Sequence, residues 1–245
     1  MSRMLRIKSQ TGVYHVMLRG IDKQQLFYDK EDYATFIKTL VESRASSDFK
    51  IYAYCLMGNH VHLLIRTIDE DIGTVIKRIG VRYVMRFNKK YDRTGHLFQD
   101  RYKSEAVDDD AYFMTVLRYI LQNPVKAGLC GTAEEYAWSS VHDYFHDTGI
   151  TDTAFVEQLF SEREFQEYLH SEFVENCLEE KSRRVGDKEA SNIICELFDV
   201  SNPMLIQELP ESELQKSIPQ CRNKGVSLRQ LSRLTGLSFG IVRKY

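Results

Sequence analysis

Proline is scarce in this chain, at four in 245 residues, and tryptophan occurs once. With ordinary apolar, charged and aromatic fractions beside that scarcity, disordered and fibrous classes drop out. Cys55, Cys130, Cys177, Cys195 and Cys221 form no Cys-x-x-Cys pair and are odd in number, which argues against a disulfide framework. A reducing cytoplasm is the expected location. The longest uncharged run near the middle, Ile51 to Ile65, is shorter than the ~18–20 apolar residues of a membrane span. No secretory segment is expected at Met-Ser-Arg-Met-Leu-Arg, so a soluble protein without a membrane partner is the reading.

What the chain does have is an uneven charge. Residues 1–150 carry 21 Lys/Arg and 19 Asp/Glu, residues 151–221 carry 6 and 16, and residues 222–245 carry 6 and none. A nearly neutral body, an acidic middle and a basic end suggest modules with different partners.

Hydrophobic periodicity predicts strands at Val13–Ile21, Phe49–Met57, His60–Thr67 and His96–Val107. Helices are predicted over Lys30–Ser46, from Ile72 through Tyr83, and from Asp110 to about Asn123, where Pro124 should end the helix. Gly58-Asn59 reads as a tight turn, and Asp108-Asp109-Asp110 as a helix N-terminus. The order β-α-β-β-α-β-α predicts an α+β fold, a ferredoxin-like antiparallel sheet with helices packed on one face, plus a C-terminal helical extension. The expected divisions are 1–148 for this domain, 149–221 for an acidic helical region and 222–245 for a basic tail resembling a helix-turn-helix.

The chemistry starts from Cys-Leu-Met-Gly-Asn-His-Val-His-Leu-Leu-Ile. Strand alternation puts His60 and His62 on one face, where two imidazoles can share a divalent cation or simply satisfy each other beside a core. On the helix after Asp110, Phe113, Val116, Leu117, Ile120 and Leu121 form one apolar stripe, and Tyr119 points roughly 130° from its centre. Asn123 follows one turn later, so its amide is a neighbour of the phenol and a candidate third ligand for a hard cation such as Mg²⁺ or Mn²⁺. Tyr119 then reads as a candidate nucleophile, with Tyr112 as its rival and Gln122 as a reserve ligand; a surface tyrosine near a helix end is the plainer alternative.

Gly-Asn-His-Val-His-Leu-Leu-Ile resembles the HUH motif, two histidines flanking a hydrophobic residue, of single-strand DNA transposases with one catalytic tyrosine. Arg-Tyr-Ile-Leu-Gln-Asn-Pro-Val-Lys-Ala-Gly-Leu is similar to their tyrosine helix. Tyr-His-Val-Met-Leu-Arg-Gly, Gly-His-Leu-Phe-Gln-Asp-Arg-Tyr-Lys-Ser-Glu-Ala-Val and Tyr-Ala-Trp-Ser-Ser-Val-His-Asp-Tyr resemble stretches of the REP-associated tyrosine transposases. The likeness covers roughly residues 12 to 145. It implies that His60, His62 and Asn123 hold Mg²⁺ or Mn²⁺, and that Tyr119 attacks a phosphodiester to leave a 5′-phosphotyrosine and a free 3′-hydroxyl. It further implies single-stranded DNA hairpins as substrate, with the protein acting as monomer or homodimer. Two other readings stay open: a hairpin-binding regulator that has lost cleavage, and a metal hydrolase whose nucleophile is water.

Such a substrate needs a cationic surface. Arg78 and Arg82 on the second helix and Gln99, Arg101 and Lys103 on the fourth strand, alternating onto one side of the sheet, are the candidates. Trp138 reads as a packing residue, and nothing in the sequence alone places His15 near the histidine pair. In the tail, Ser238 reads as the N-cap of a final short helix, and Arg229, Arg233 and Arg243 are candidates for phosphate contacts. The rival for the tail is docking against the acidic middle of its own chain.

Overall fold

A computed structural model of the chain describes residues 8–99, 101–146, 149–171, 177 and 186–244. It divides into two compact units, Met1–Leu178 and Glu179–Tyr245.

The first unit runs β1 (Val13–Arg19), α1 (Lys30–Arg44), β2 (Phe49–Met57), β3 (His60–Thr67), α2 (Ile72–Lys90), β4 (Lys103–Ala106) and α3 (Asp110–Lys126), followed by α4 (Ala154–Leu159) and α5 (Glu162–His170). The sheet order is β2-β3-β1-β4 with every neighbouring pair antiparallel, the ferredoxin-like arrangement. Aspartates start all three long helices: Asp29, Asp71 and Asp109 accept from the backbone N–H of Asp32, Gly73 and Tyr112. Each side-chain oxygen satisfies a donor the first turn leaves unpaired, and its charge suits the positive end of the helix dipole.

The helices divide between the two faces of the sheet instead of sharing one, because β1, β2 and β3 are buried on both sides. Tyr14, Val16, Leu18, Ile51, Leu56, Val61, Leu63 and Ile65 pack with Phe36 and Leu40 of α1 and Val75, Ile79, Tyr83 and Phe87 of α2. On the other face Ala53, Cys55, Met57 and Leu64 meet the expected stripe of α3. Each fully buried Leu, Ile or Phe here contributes roughly 1.5–3 kcal/mol.

The predicted fourth strand and the end of the predicted third helix differ from expectation. β4 is only four residues long, and Gln99 and Arg101 lie in irregular chain before it. Strand alternation therefore does not place them with Lys103. Helix α3 continues through Pro124 to Lys126. It closes where Gly128, at φ 68°, lets Gly128 N–H and Leu129 N–H donate to the carbonyls of Val125 and Pro124. Proline removes one donor near the helix end, and the glycine two residues beyond the last turn is the stronger stop signal.

Beyond α3 the chain covers the outer edge of β2. Leu56 N–H donates to Trp138 O, Ser140 Oγ accepts from Tyr54 N–H, and the hydroxyls of Tyr136 and Tyr144 donate to Leu56 O and Tyr52 O. An exposed strand edge is a template for unwanted pairing, and this segment occupies it. Trp138 stacks on Tyr33 with ring centroids 4.6 Å apart, a packing role.

The first unit does not stop near residue 148. Val156, Phe165, Leu169 and Cys177 belong to the core formed with α3. In the second unit, α6 (Asp187–Phe198), α7 (Glu211–Asn223), α8 (Leu228–Thr235) and α9 (Phe239–Lys244) share one core through Ala190, Ile194, Phe198, Leu214, Ile218, Leu231 and Val242. The basic tail is thus part of a fold with the end of the acidic region, because its leucines need a partner surface to bury. Among the described residues no helix is long and apolar enough to cross a membrane.

Candidate active site

His60 and His62 leave β3 on the face that α3 covers. The strand register sets Arg19 opposite His60, Met17 opposite His62 and His15 opposite Leu64, so His15 lies diagonally from His62 on the same face. His15 and His62 are fully buried, and His15 Nε2 lies 3.0 Å from His62 Nδ1. The ring centroids of His60 and His62 are 5.1 Å apart. In the Gly58-Asn59 turn, Asn59 Oδ1 lies 2.7 Å from His60 Nδ1, and Asn59 Nδ2 donates to Lys23 O at 3.3 Å.

Helix α3 brings Tyr119 to this cluster. Its ring centroid is 5.6 Å from that of His62 and 5.7 Å from that of His15, both edge-on. Lys126 Nζ sits 4.9 Å from the centroid of the same ring. Tyr119 is therefore buried, at 4% exposure, and not a solvent-facing residue as its wheel angle suggests. The sheet, the imidazoles and the chain after α3 wrap more of the helix than the aliphatic stripe marks. Asn123, one turn on, is also buried.

The rival groups are engaged elsewhere. Burial, then a hydrogen bond to Glu105, push the Tyr112 phenol well above its ordinary range, so it is held as a neutral donor. Gln122 donates its amide to Leu169 O at 2.7 Å, on the side of α5. Among the described residues no three His, Cys, Asp or Glu side chains come together as a metal site. Beside Tyr119 stand the imidazoles of His62 and His15, with His60 next to His62 and the buried Asn123 amide one helical turn on. His60 and His62 each contact a polar partner through Nδ1, the arrangement in which the opposite nitrogen serves a metal. The residues present fit a divalent cation of borderline or hard character.

The expected cationic surface is partly neutralised. Arg78 makes a two-pronged pair with Glu70, at 2.6 and 2.9 Å, and Arg86 and Lys90 pair with Glu42 and with Asp29 and Asp32 of the α1 region. Arg82 donates to Ser46 Oγ at 3.1 Å. The basic face of α2 thus largely serves the α1–α2 contact, as its spacing along that helix also permits. Gln99, Arg101 and Lys103 are exposed. Lys103 is level with Met17, which is level with His62, so it lies in the same cross-strand row as His62.

In the second unit α8 and α9 are joined by Gly236–Ser238, with Gly236 at φ 72° and Ser238 Oγ accepting from Ile241 N–H. Arg229 and Arg243 are exposed. Arg233 pairs with Asp187 at 2.6 Å and Lys244 with Glu211. Part of the tail's charge is spent on the acidic residues of its own unit.

Sequence reasoning passed over His15, Asn59 and Lys126. Alternation along β1 marked the face of His15, but only the pairing register with β3 brings it to His62. Asn59 was read solely as a turn residue. Lys126 lies beyond the point where the helix was expected to stop.

Residues 8–123 match the family model "Transposase IS200 like". A Haemophilus influenzae protein named as a REP-associated tyrosine transposase is 29% identical over 106 residues, which is 38% of this chain and 60% of that one. A solved REP-associated tyrosine transposase, bound to a REP hairpin, superposes with a TM-score of 0.54 at 17% identity, over 62% of this chain and 89% of its own. At that identity the likeness speaks for the fold. Residues 8–123, just under half of the chain, match the IS200-like transposase family, and the relatives they resemble are named as REP-associated tyrosine transposases.

Proposed function

We propose that the protein is a metal-dependent DNA strand transferase acting on single-stranded DNA hairpins, with Tyr119 as nucleophile and His60, His62 and Asn123 as metal ligands. The observation that carries this reading is the contact of the Tyr119 ring with both His62 and His15, 5.6 and 5.7 Å between centroids. A phenol packed on two buried imidazoles, on a helix whose next turn offers a buried amide, suits phosphodiester attack better than core packing, which a phenylalanine would serve.

In this reading the Tyr119 oxygen bonds to phosphorus and the bond from phosphorus to the 3′ oxygen breaks. The phenol proton passes to solvent, and the departing 3′ oxygen leaves as a hydroxyl after taking up a proton. The product is a 5′-phosphotyrosine, and attack on it by a 3′-hydroxyl restores a phosphodiester and frees the phenol. A bound Mg²⁺ or Mn²⁺ supplies positive charge against the non-bridging oxygens, where charge develops. Lys103, in the cross-strand row of His62, and Gln99 and Arg101, in the chain before it, are the surface residues proposed to meet the DNA backbone, and Arg229 and Arg243 those of the second unit.

The test is a covalent-adduct assay. The full chain is incubated with hairpin single-stranded DNA and Mn²⁺ and run on a denaturing gel. A shifted protein band that needs Tyr119 supports the reading. Hairpin binding with no adduct on any palindromic substrate would make the protein a regulator that binds without cleaving.

A further inference from the structure

The two histidines proposed as metal ligands are each gripped at the same ring atom, by different partners. Asn59 reaches back from the turn to His60 Nδ1 at 2.7 Å, and His15 reaches across from β1 to His62 Nδ1 at 3.0 Å. The Asn59 amide is oriented by its other end: Nδ2 donates to Lys23 O, a backbone carbonyl that only accepts. Oδ1 therefore faces His60 as an acceptor, and His60 Nδ1 carries the proton. The His60 Nε2 atom is then the one with the lone pair.

For His62 the hydrogen bond alone allows either direction, since both partners are imidazoles. The arrangement matching His60 has His62 Nδ1–H donating to His15 Nε2, with the second His15 proton site, Nδ1, protonated. In that state both motif histidines present Nε2 lone pairs from one strand face, as one shared cation requires. The reverse direction would protonate His62 at Nε2 and leave it useless as a ligand through that atom.

We propose that Asn59 and His15 are positioning residues: they set His60 and His62 in the Nδ1–H tautomer and fix their ring orientations, so that both Nε2 atoms meet one divalent cation. This inference rests on the proposed metal site and adds to it the pair of residues that tune it. Neither residue touches substrate or metal; each acts through the imidazole it holds. Because the two grips come from separate elements, the hairpin turn and β1, they are independently testable.

The first experiment needs no variant of the gripping residues. In the metal-free chain, the imidazole ¹⁵N shifts of His60 and His62, assigned with single His→Gln variants, are expected to report Nδ1–H tautomers. An Nε2–H tautomer on either overturns the assignment for that pair. The second experiment measures Mn²⁺ binding without DNA by electron paramagnetic resonance. His15→Leu and Asn59→Ala are each expected to weaken Mn²⁺ binding by roughly 10–100-fold, the usual effect of removing such a partner. His15→Gln, which returns an acceptor oxygen, is expected to recover most of the loss, a rescue that a merely structural role of the imidazole would not show. Asn59→Ala sits in a half-buried turn and keeps the test alive should His15→Leu fail to fold by circular dichroism. If Mn²⁺ binding survives His15→Leu and Asn59→Ala but is lost in His60→Ala, the positioning role falls and the metal site stands. If His60→Ala and His62→Ala bind Mn²⁺ as the parent does, the metal site itself falls.

Discussion

The Tyr119 ring meets the His62 ring edge-on, with centroids 5.6 Å apart and planes at 85°. That contact ties α3, which carries the phenol, to β3, which carries the histidine pair. His15 stands at the second edge of the phenol ring and Lys126 over it, 4.9 Å from its centroid. A ring bounded on three sides has little rotational freedom, so the direction of its oxygen is set by the fold. In the proposed reading, preorganisation of this kind would place the nucleophile without a further ordering cost at the moment of attack.

Tyr119→Phe is accordingly expected to keep the packing and lose the chemistry. Its thermal melting should stay close to the parent, while adduct formation on hairpin DNA falls by at least ~10³-fold, as loss of a nucleophile does. Tyr112→Phe should form the adduct at near-parental rate, since that phenol is committed to Glu105. A gel-based time course on the two variants separates them; an adduct surviving in Tyr119→Phe and lost in Tyr112→Phe would exchange their roles.

The DNA surface is predicted to be unequal among its cations. Arg101→Ala and Lys103→Ala should each weaken hairpin binding and lower the salt slope of log K by about one, the signature of a lost phosphate contact. Arg78→Ala should change both much less, because its guanidinium is committed to Glu70 at 2.6 Å. Fluorescence anisotropy across a salt series reads all three; an equal loss for Arg78→Ala would show that the pair opens on binding.

The Glu70–Arg78 pair also carries a pH signature. Hydrogen bonds from Arg78, and then Ser47, hold the Glu70 carboxyl down at about 2, below its ordinary value. A carboxyl depressed in the folded state stabilises the fold above its unfolded value and loses that contribution as pH falls through the folded one. The melting-temperature gap between the parent and Glu70→Gln should therefore be present at pH 7 and down to about pH 4.5, then close towards pH 2. A gap that stays constant across that range would mean the pair contributes through packing alone.

The central strands, the three long helices, the acidic start of α3 and the histidine pair are legible because each rests on local pattern: alternation, 3.6-residue spacing and a short side chain before a helix. What was not legible rests on pairing. That α3 covers the face opposite α1 and α2 follows from strands buried on both sides, and the second face, which carries His15, His60 and His62, does not read as apolar in the sequence. His15 needed the β1–β3 register, and the burial of Tyr119 needed the imidazoles that surround it. Arg78 and Arg82 read as a binding surface because a sequence shows these cations but not the Glu70 carboxylate and Ser46 hydroxyl that meet them. The division at residue 148 followed a change in charge, whereas Phe165 and Leu169 follow the core.

Ser140→Ala tests the cover on the sheet edge. The Ser140 hydroxyl accepts from Tyr54 N–H at 2.9 Å, and both groups are buried. Removing the acceptor leaves a strand donor unsatisfied, at a cost of about 1–3 kcal/mol. Urea unfolding should show a lower midpoint with an unchanged slope; an unchanged midpoint would mean that water replaces the hydroxyl.

The second unit separates two uses of arginine. Arg233 pairs with Asp187 at 2.6 Å and so links α8 to the start of α6, whereas Arg243 is exposed near the end of α9. If the unit meets DNA, Arg243→Ala should weaken hairpin or duplex binding and reduce its salt slope by about one, with no change in melting. Arg233→Ala removes a cation already engaged with a carboxylate, so its binding loss should be the smaller. Asp187→Asn provides the converse: freeing Arg233 from its partner should raise DNA affinity at low salt, and the gain should disappear as salt screens the released charge. Binding that is indifferent to Arg229, Arg243 and Asp187 alike would assign this unit to contacts other than nucleic acid.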